Sequence, residues 1–271
     1  MELQDQHWQN FCTNHLGNWH GTRTRYSPQG EVKGWFEAFR LLQANSDQTE
    51  ITHTNRNIYA DSTTEEQSWQ FSKHSNNFSD GIMHPITARM RFLALEQGAA
   101  AGVYKKIEEQ VPFGVELFLI NESLRYSLVI VYGKDGSLSS ITLIREDKVV
   151  YPNNYWSNEV NLIAERNLSG NWTGKSVKMT PDLNVSAEVP AKLQLTLEGN
   201  PTLYFPDGIT LSCPKEVKVG KQAALTTTWL VKPDLLQQIS VNYDDSGDFA
   251  ELKFAKFSSQ FCNSGSIAEF F

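Results

Sequence analysis

Residues 17 to 32 of this chain read GNWHGTRTRYSPQGEV and residues 170 to 185 read GNWTGKSVKMTPDLNV, a self-similarity that constrains the fold more than any other feature. Gly17, Asn18, Trp19, Gly21, Pro28 and Val32 match Gly170, Asn171, Trp172, Gly174, Pro181 and Val185 at one constant offset. Chance gives about one identity in so short a window, and Trp, Gly and Pro are the informative types. Two further echoes follow in the same order. FSDGI from Phe78 answers FPDGI from Phe205, and Tyr132-Gly-Lys-Asp-Gly answers Tyr243-Asp-Asp-Ser-Gly. The offset shrinks at each step, so the second half reads as a shortened copy of the first.

Within each copy the elements read as strands. VELFLINESLRYSLVIVYGKDGSLSSITLIRE and LQQISVNYDDSGDFAELKFAKF alternate or run apolar over short stretches broken by Asn, Asp, Gly and Ser. Asp135-Gly136 is a hairpin cue, because Gly accepts the positive φ of a tight turn. Strands joined by hairpins without βαβ alternation predict an antiparallel sandwich or barrel. The clearest helix runs from Glu2 to His15, with Leu3, Trp8, Phe11 and Cys12 on one side, suited to lie as a lid or plug against the first barrel. Between the copies, residues 147 to 161 carry one Pro and four Asn, which is loop chemistry. The boundary is placed there, giving domains 1–155 and 156–271.

A net charge of −7 argues against a nucleic-acid partner. The acidic and polar start Met-Glu-Leu-Gln-Asp-Gln and the lack of any long apolar run predict no secretion signal and no membrane insertion, hence a cytoplasmic protein. Cys12, Cys213 and Cys262 lack the spacing of a zinc site or a disulfide framework and read as reduced thiols.

A Gly-x-Trp at the start of the first strand, with a cation near the end of the last, resembles the signature of lipocalins within the calycin superfamily. The GNWxGxxxRYSPxGE opening resembles an uncharacterised family of cyanobacteria and chloroplasts with tandem lipocalin-like domains. The resemblance implies an all-β fold of two tandem lipocalin-like antiparallel β-barrels behind a short N-terminal helix. It also implies that Arg145 packs across Trp19, and Lys256 across Trp172, as structural cation–π pairs.

Side chains at i, i+2 and i+4 of a strand share a face. If Trp19 points inward, Gly21, Arg23 and Arg25 follow it, and two interior guanidiniums need carboxylates, water or an anionic ligand group. A bulge at the rim would instead turn them to solvent. Trp69, Phe71, Phe118 and Tyr132 are the expected apolar walls, drawn from a larger aromatic set (Trp35, Phe36, Phe39 and Phe113) that a solid core would use equally well. All six His and every Arg but Arg166 precede residue 150, so the first copy carries the chemistry. No His pair has metal-ligand spacing; His53 and His74, both expected on strands, are the least unsuited. No nucleophile motif is present, and Cys12 with His15 shares a helix face without further support. The expected function is a binding or carrier protein for a small hydrophobic or amphipathic, anionic molecule held in the first barrel by Arg23 and Arg25. The alternatives are a tetrapyrrole-chromophore lyase or isomerase on the same barrel, or an interaction protein that binds no small molecule. No cofactor or protein partner is indicated.

Overall fold

A computed structural model describes residues 2–259 apart from 153–155, 167, 169, 170, 196 and 198; Gly170 of the repeat, Cys262 and Phe270-Phe271 lie outside the described residues. The chain opens with helix α1 (Leu3–His15), which buries His7, Trp8, Phe11, Cys12 and His15, whereas Leu3 stays exposed. Strands β1 (Gly17–Tyr26), β2 (Val32–Ala44), β3 (Glu50–Ile58) and β4 (Thr64–Ser72) lead to the single-turn helix α2 (Lys73–Asn76). Strands β5 (Asn77–Phe78), β6 (Gly81–His84), β7 (Thr87–Ala94), β8 (Ala100–Tyr104), β9 (Phe113–Asn121), β10 (Leu124–Tyr132) and β11 (Leu138–Asp147) follow. They form one antiparallel eleven-stranded sheet in the order β4-β3-β2-β1-β11-β10-β9-β8-β7-β6-β5. Its edge strands β4 and β5 are joined through α2 but share no ladder, so the sheet is a barrel with one open seam. Side chains from β1 to β4 and from β6 to β9 meet α1 in one interior cluster that includes Trp19, Leu42, Ile51, Phe71, Ile82 and Phe118.

The second sheet comprises β12 (Trp172–Met179), β13 (Val189–Ala191), β14 (Thr202–Tyr204), β15 (Ile209–Ser212), β16 (Ala223–Lys232), β17 (Leu235–Tyr243) and β18 (Phe249–Ser259). Its order is β13-β12-β18-β17-β16-β15-β14, with the two edge strands unpaired to each other, so it does not close. The expectation of two tandem barrels is therefore corrected: there is one nearly closed sheet and one open one. Length explains the difference. In the first sheet, strands of 13, 9 and 9 residues continue past β1 and carry the wall around. Among the described residues the one strand beyond β12 has 3 residues.

The two sheets pack back to back. Leu117, Leu128, Ile130 and Leu143 on the outer face of the first join Val177, Leu225, Ile239, Val241 and Leu252 of the second in one core. Backbone bonds tie the hairpins across in matched pairs. Val217 N donates to Gly136 O at 2.9 Å and Ile107 N to Gly247 O at 2.8 Å. Tyr132 Oη donates to Pro214 O at 2.9 Å, and Tyr243 Oη to Tyr104 O at 2.9 Å. The hairpin expected at Asp135-Gly136 is present, with Gly136 at φ 79°. FPDGI, by contrast, is not the counterpart of FSDGI. Phe205 N donates to Ile209 O as Leu95 N donates to Ala99 O, so FPDGI occupies a hairpin matching residues 95–99, whereas Phe78 and Gly81 pair in the β5–β6 turn.

The signature pairs are also corrected. Arg145 stands opposite Thr22, on the face of β11 away from Trp19. Its guanidinium lies 3.2 Å from Asp207 and donates to the carbonyls of Ser157 and Glu159. Trp19 instead meets Arg125, whose guanidinium carbon lies 3.8 Å from the ring centroid, and Lys148 at 4.5 Å. In the second sheet Lys256 stands opposite Lys175, one residue out of phase with the face that holds Trp172, and is exposed. What the two tryptophans do share is a hydrogen bond to the carbonyl four residues earlier: Trp19 to His15 at 2.9 Å and Trp172 to Leu168 at 3.0 Å.

Candidate functional site

The interior of the first sheet holds a cavity of about 210 Å³ lined from α1, from β2 to β4 and from β6 to β10. Strand parity decides what enters it. Register places Arg23 beside Phe36, Arg40 beside Asn55, Leu42 beside His53 and Ser127 beside Phe118, so these side chains share the inner face with Trp19. Of the expected walls, Trp69, Phe71 and Phe118 line the cavity. Tyr132 does not: it points to the opposite face, into the core between the sheets. Trp35 and Phe39 likewise stand on the outer side of β2, with Trp35 57% exposed.

Arg23 points inward, and its Nη2 donates to Asn55 Oδ1 at 3.2 Å. Arg25 lies where the β1–β2 register slips, and stacks its guanidinium 5.0 Å from Phe36 at the exposed rim. Both arginines thus border Phe36 on one face of the sheet, Arg23 toward the interior and Arg25 at the exposed rim. The interior cations that the sequence did not single out are Arg40 and Arg125, both nearly without solvent exposure. Arg125 Nε donates to Glu146 Oε2 at 2.7 Å, and Arg40 reaches Glu116 at 3.1 Å and Glu146 at 3.4 Å. Ser127 Oγ donates to Glu116 Oε1 at 2.9 Å. Burial opposes ionisation of Glu146, but Arg125 and Arg40 more than offset it and hold its carboxyl below the usual range. Burial lowers Arg23 and Arg125 only to about 10, so both remain charged at neutral pH.

Three histidines line the same cavity and stay neutral. Burial, followed by the charge of Arg125, Lys148 and Arg40, pushes His15 well below its ordinary value. Neither of its ring nitrogens makes a hydrogen bond of good geometry, although the Gly98 backbone lies close enough to favour the proton. His53 is lowered by burial and then by Arg40 and Arg125, and His84 chiefly by burial. His74, expected on a strand as His53 was, lies instead exposed in α2. His84 packs 5.6 Å from Trp69 and 6.0 Å from Phe71 across the unpaired seam, so rings rather than a backbone ladder close the barrel there. Among the described residues no group of three or more His, Cys, Asp or Glu could hold a metal ion.

Three guanidiniums therefore face two carboxylates, and several buried polar atoms have no hydrogen-bond partner: Arg125 Nη2, Arg23 Nε, Trp69 Nε1, His53 Nδ1 and one acceptor, Glu146 Oε1, which faces Arg40 Nε at 3.4 Å. The first three can only donate. An unmet buried donor costs about 1–3 kcal/mol, so this interior is suited to receive acceptor atoms.

No helix among the described residues is long and apolar enough to cross a membrane. Comparison with known proteins places these features in a family. No curated protein matches. A structure of a protein of unknown function from the DUF3598 family of Nostoc punctiforme PCC 73102 superimposes with a TM-score of 0.74 at 19% identity, over 94% of this chain and 99% of that one. An S-type phycobiliprotein lyase from Guillardia theta aligns over 95% of each chain at 8% identity, with a TM-score of 0.21, too low for a shared fold. Residues 198–257 are similar to the C-terminal domain of a biogenesis factor required for ATP synthase. The N-terminal domain of unknown function DUF3598 matches residues 4–150, more than half of the chain. These matches replace the lipocalin-like, calycin assignment, and the chain belongs to the DUF3598 family.

Proposed function

We propose that this protein binds a small amphipathic anion inside its first sheet. The observation that carries the proposal is the set of buried, donor-only atoms left without acceptors around an aromatic-walled cavity. The excess of one guanidinium over the interior carboxylates supports a negative charge on the occupant. Of the two arginines expected from sequence to hold the acid, neither lines the cavity itself: Arg23 donates to Asn55, which does, and Arg25 is exposed at the rim. A cavity of about 150 Å³ accommodates benzene, whereas drug-sized ligands occupy ~300 Å³ or more. The 210 Å³ here suits an occupant somewhat larger than one ring and does not enclose a tetrapyrrole.

Calorimetric titration of a panel of small apolar carboxylates tests this reading. Gly102 lines the cavity, and a side chain there would project against the flexible end of Met90, so Gly102→Leu fills the space. Binding by the wild type and none by Gly102→Leu is expected. Equal heats from both proteins would place binding elsewhere and sink the proposal.

The likeness of residues 198–257 to the C-terminal domain of a biogenesis factor required for ATP synthase 1 supports a second reading, in which the protein serves in biogenesis and binds no small molecule. Under that reading the cellular phenotype of a deletion strain is rescued by Gly102→Leu as fully as by the wild type.

A further inference from the structure

The cavity has two chemically different ends. At one, Arg40, Arg125 and His15 surround Phe118: the two guanidinium carbons lie 5.5 and 5.6 Å from its ring, and the His15 ring 5.8 Å away. Here the unpartnered Arg125 Nη2 is buried on a residue 1% exposed. At the other end the rings of His53 and Trp69 lie 4.6 Å apart, with Phe71 6.2 Å from His53, and both His53 Nδ1 and Trp69 Nε1 lack partners. The first end offers a charged donor; the second offers a neutral donor, Trp69 Nε1, and an acceptor, His53 Nδ1, because Nε2 of the neutral ring donates to Asn55 Oδ1 at 3.2 Å.

We infer that the occupant is an aromatic carboxylate bearing a second polar group, such as a hydroxyl, on the far side of its ring. This inference rests on the proposed binding function and names its ligand class. The acid lies against Arg125, the ring against Trp69 and Phe71, and the distal hydroxyl between Trp69 Nε1, which donates to it, and His53 Nδ1. A flexible alkyl acid of comparable volume would satisfy the first end and leave the second unmet. A long fatty acid would exceed the 210 Å³ available. The rigid planar acid satisfies both ends at little cost in conformational freedom, since it has few rotors to freeze.

The test titrates the full chain with 4-hydroxybenzoate and 4-hydroxycinnamate, their ring-unsubstituted analogues, their carboxamides, octanoate and oleate. The hydroxy acids are expected to bind tightest. Loss of the carboxylate should weaken them about tenfold or more, as expected for a buried hydrogen bond to a charged group. Trp69→Phe removes the donor, and should shrink the ratio of 4-hydroxybenzoate to benzoate affinity, whatever it does to the affinity for both. Tighter binding of octanoate or oleate, or a hydroxyl preference undiminished in Trp69→Phe, overturns the ligand class while leaving the binding function standing. Binding of no member by the wild type, or unaltered binding in Gly102→Leu, overturns both.

Discussion

Acidification is predicted to remove about 3 kcal/mol of stability through His7 alone. Its Nε2 accepts a hydrogen bond from the Ala94 amide at 2.8 Å, so the ring proton sits on Nδ1. A second proton on Nε2 would set one N–H against another inside a site where the ring is almost wholly buried. Burial accordingly lowers the pKa from 6.5 to about 4. Above pH 6.5 His7 is neutral in both the folded and unfolded chain and contributes nothing to the pH dependence. Between 6.5 and about 4 the unfolded chain takes up a proton that the folded chain refuses, so stability falls as pH falls, and the loss levels off below the folded value. At ~1.4 kcal/mol per pH unit the full loss is about 3 kcal/mol. Urea unfolding followed by circular dichroism across this range measures it. His7→Gln keeps a carbonyl acceptor for the Ala94 amide and does not titrate, so subtracting its pH dependence removes the contributions of His15, His53 and the carboxylates. If the wild type and His7→Gln lose stability in parallel, the account of His7 as a buried neutral acceptor is wrong.

Glu146→Gln leaves Arg125 and Arg40 without their shared carboxylate and should destabilise the fold by roughly 3–5 kcal/mol in chemical denaturation. In Gly21→Ala the added carbon would lie 1.7 Å from the Arg145 carbonyl oxygen, backbone that cannot swing aside, and a cost of ~3 kcal/mol or more is expected. Gly174→Ala meets the Phe257 side chain instead and should cost less by the same assay. Tyr132→Phe and Tyr243→Phe each strip one inter-sheet hydrogen bond and leave a carbonyl unmet, for ~1–2 kcal/mol apiece in thermal or urea unfolding.

Local features were legible in the sequence to the extent that they follow from periodicity. Trp69, Phe71 and Phe118 are walls drawn from an aromatic set that a solid core would use equally well, whereas the parity of β1 puts Trp19, Gly21, Arg23 and Arg25 on one face. The same rule, applied to β10, would have excluded Tyr132 from the cavity, but only with the β9–β10 register in hand. Arg145 and Glu146 show why the cation pairing failed. They are adjacent, so a one-residue uncertainty in register decides which of them faces Trp19. Arg125 and Arg40 carried no local signal, since their partners lie 21 and 76 residues away. The repeated GNW segments do build corresponding first strands with the same tryptophan hydrogen bond, yet closure depends on strand lengths beyond them. FPDGI misled because a Gly turn cue fits any hairpin and does not say which strands it joins.

The central claim, that the interior of the first sheet holds a small aromatic acid, is most directly tested by native mass spectrometry of the protein recovered from its own cells. A co-purifying species of the mass of one aromatic acid is expected on the wild type and not on Gly102→Leu. Wild-type protein that carries no small molecule and gains none when soaked in hydroxyaromatic acids would contradict it.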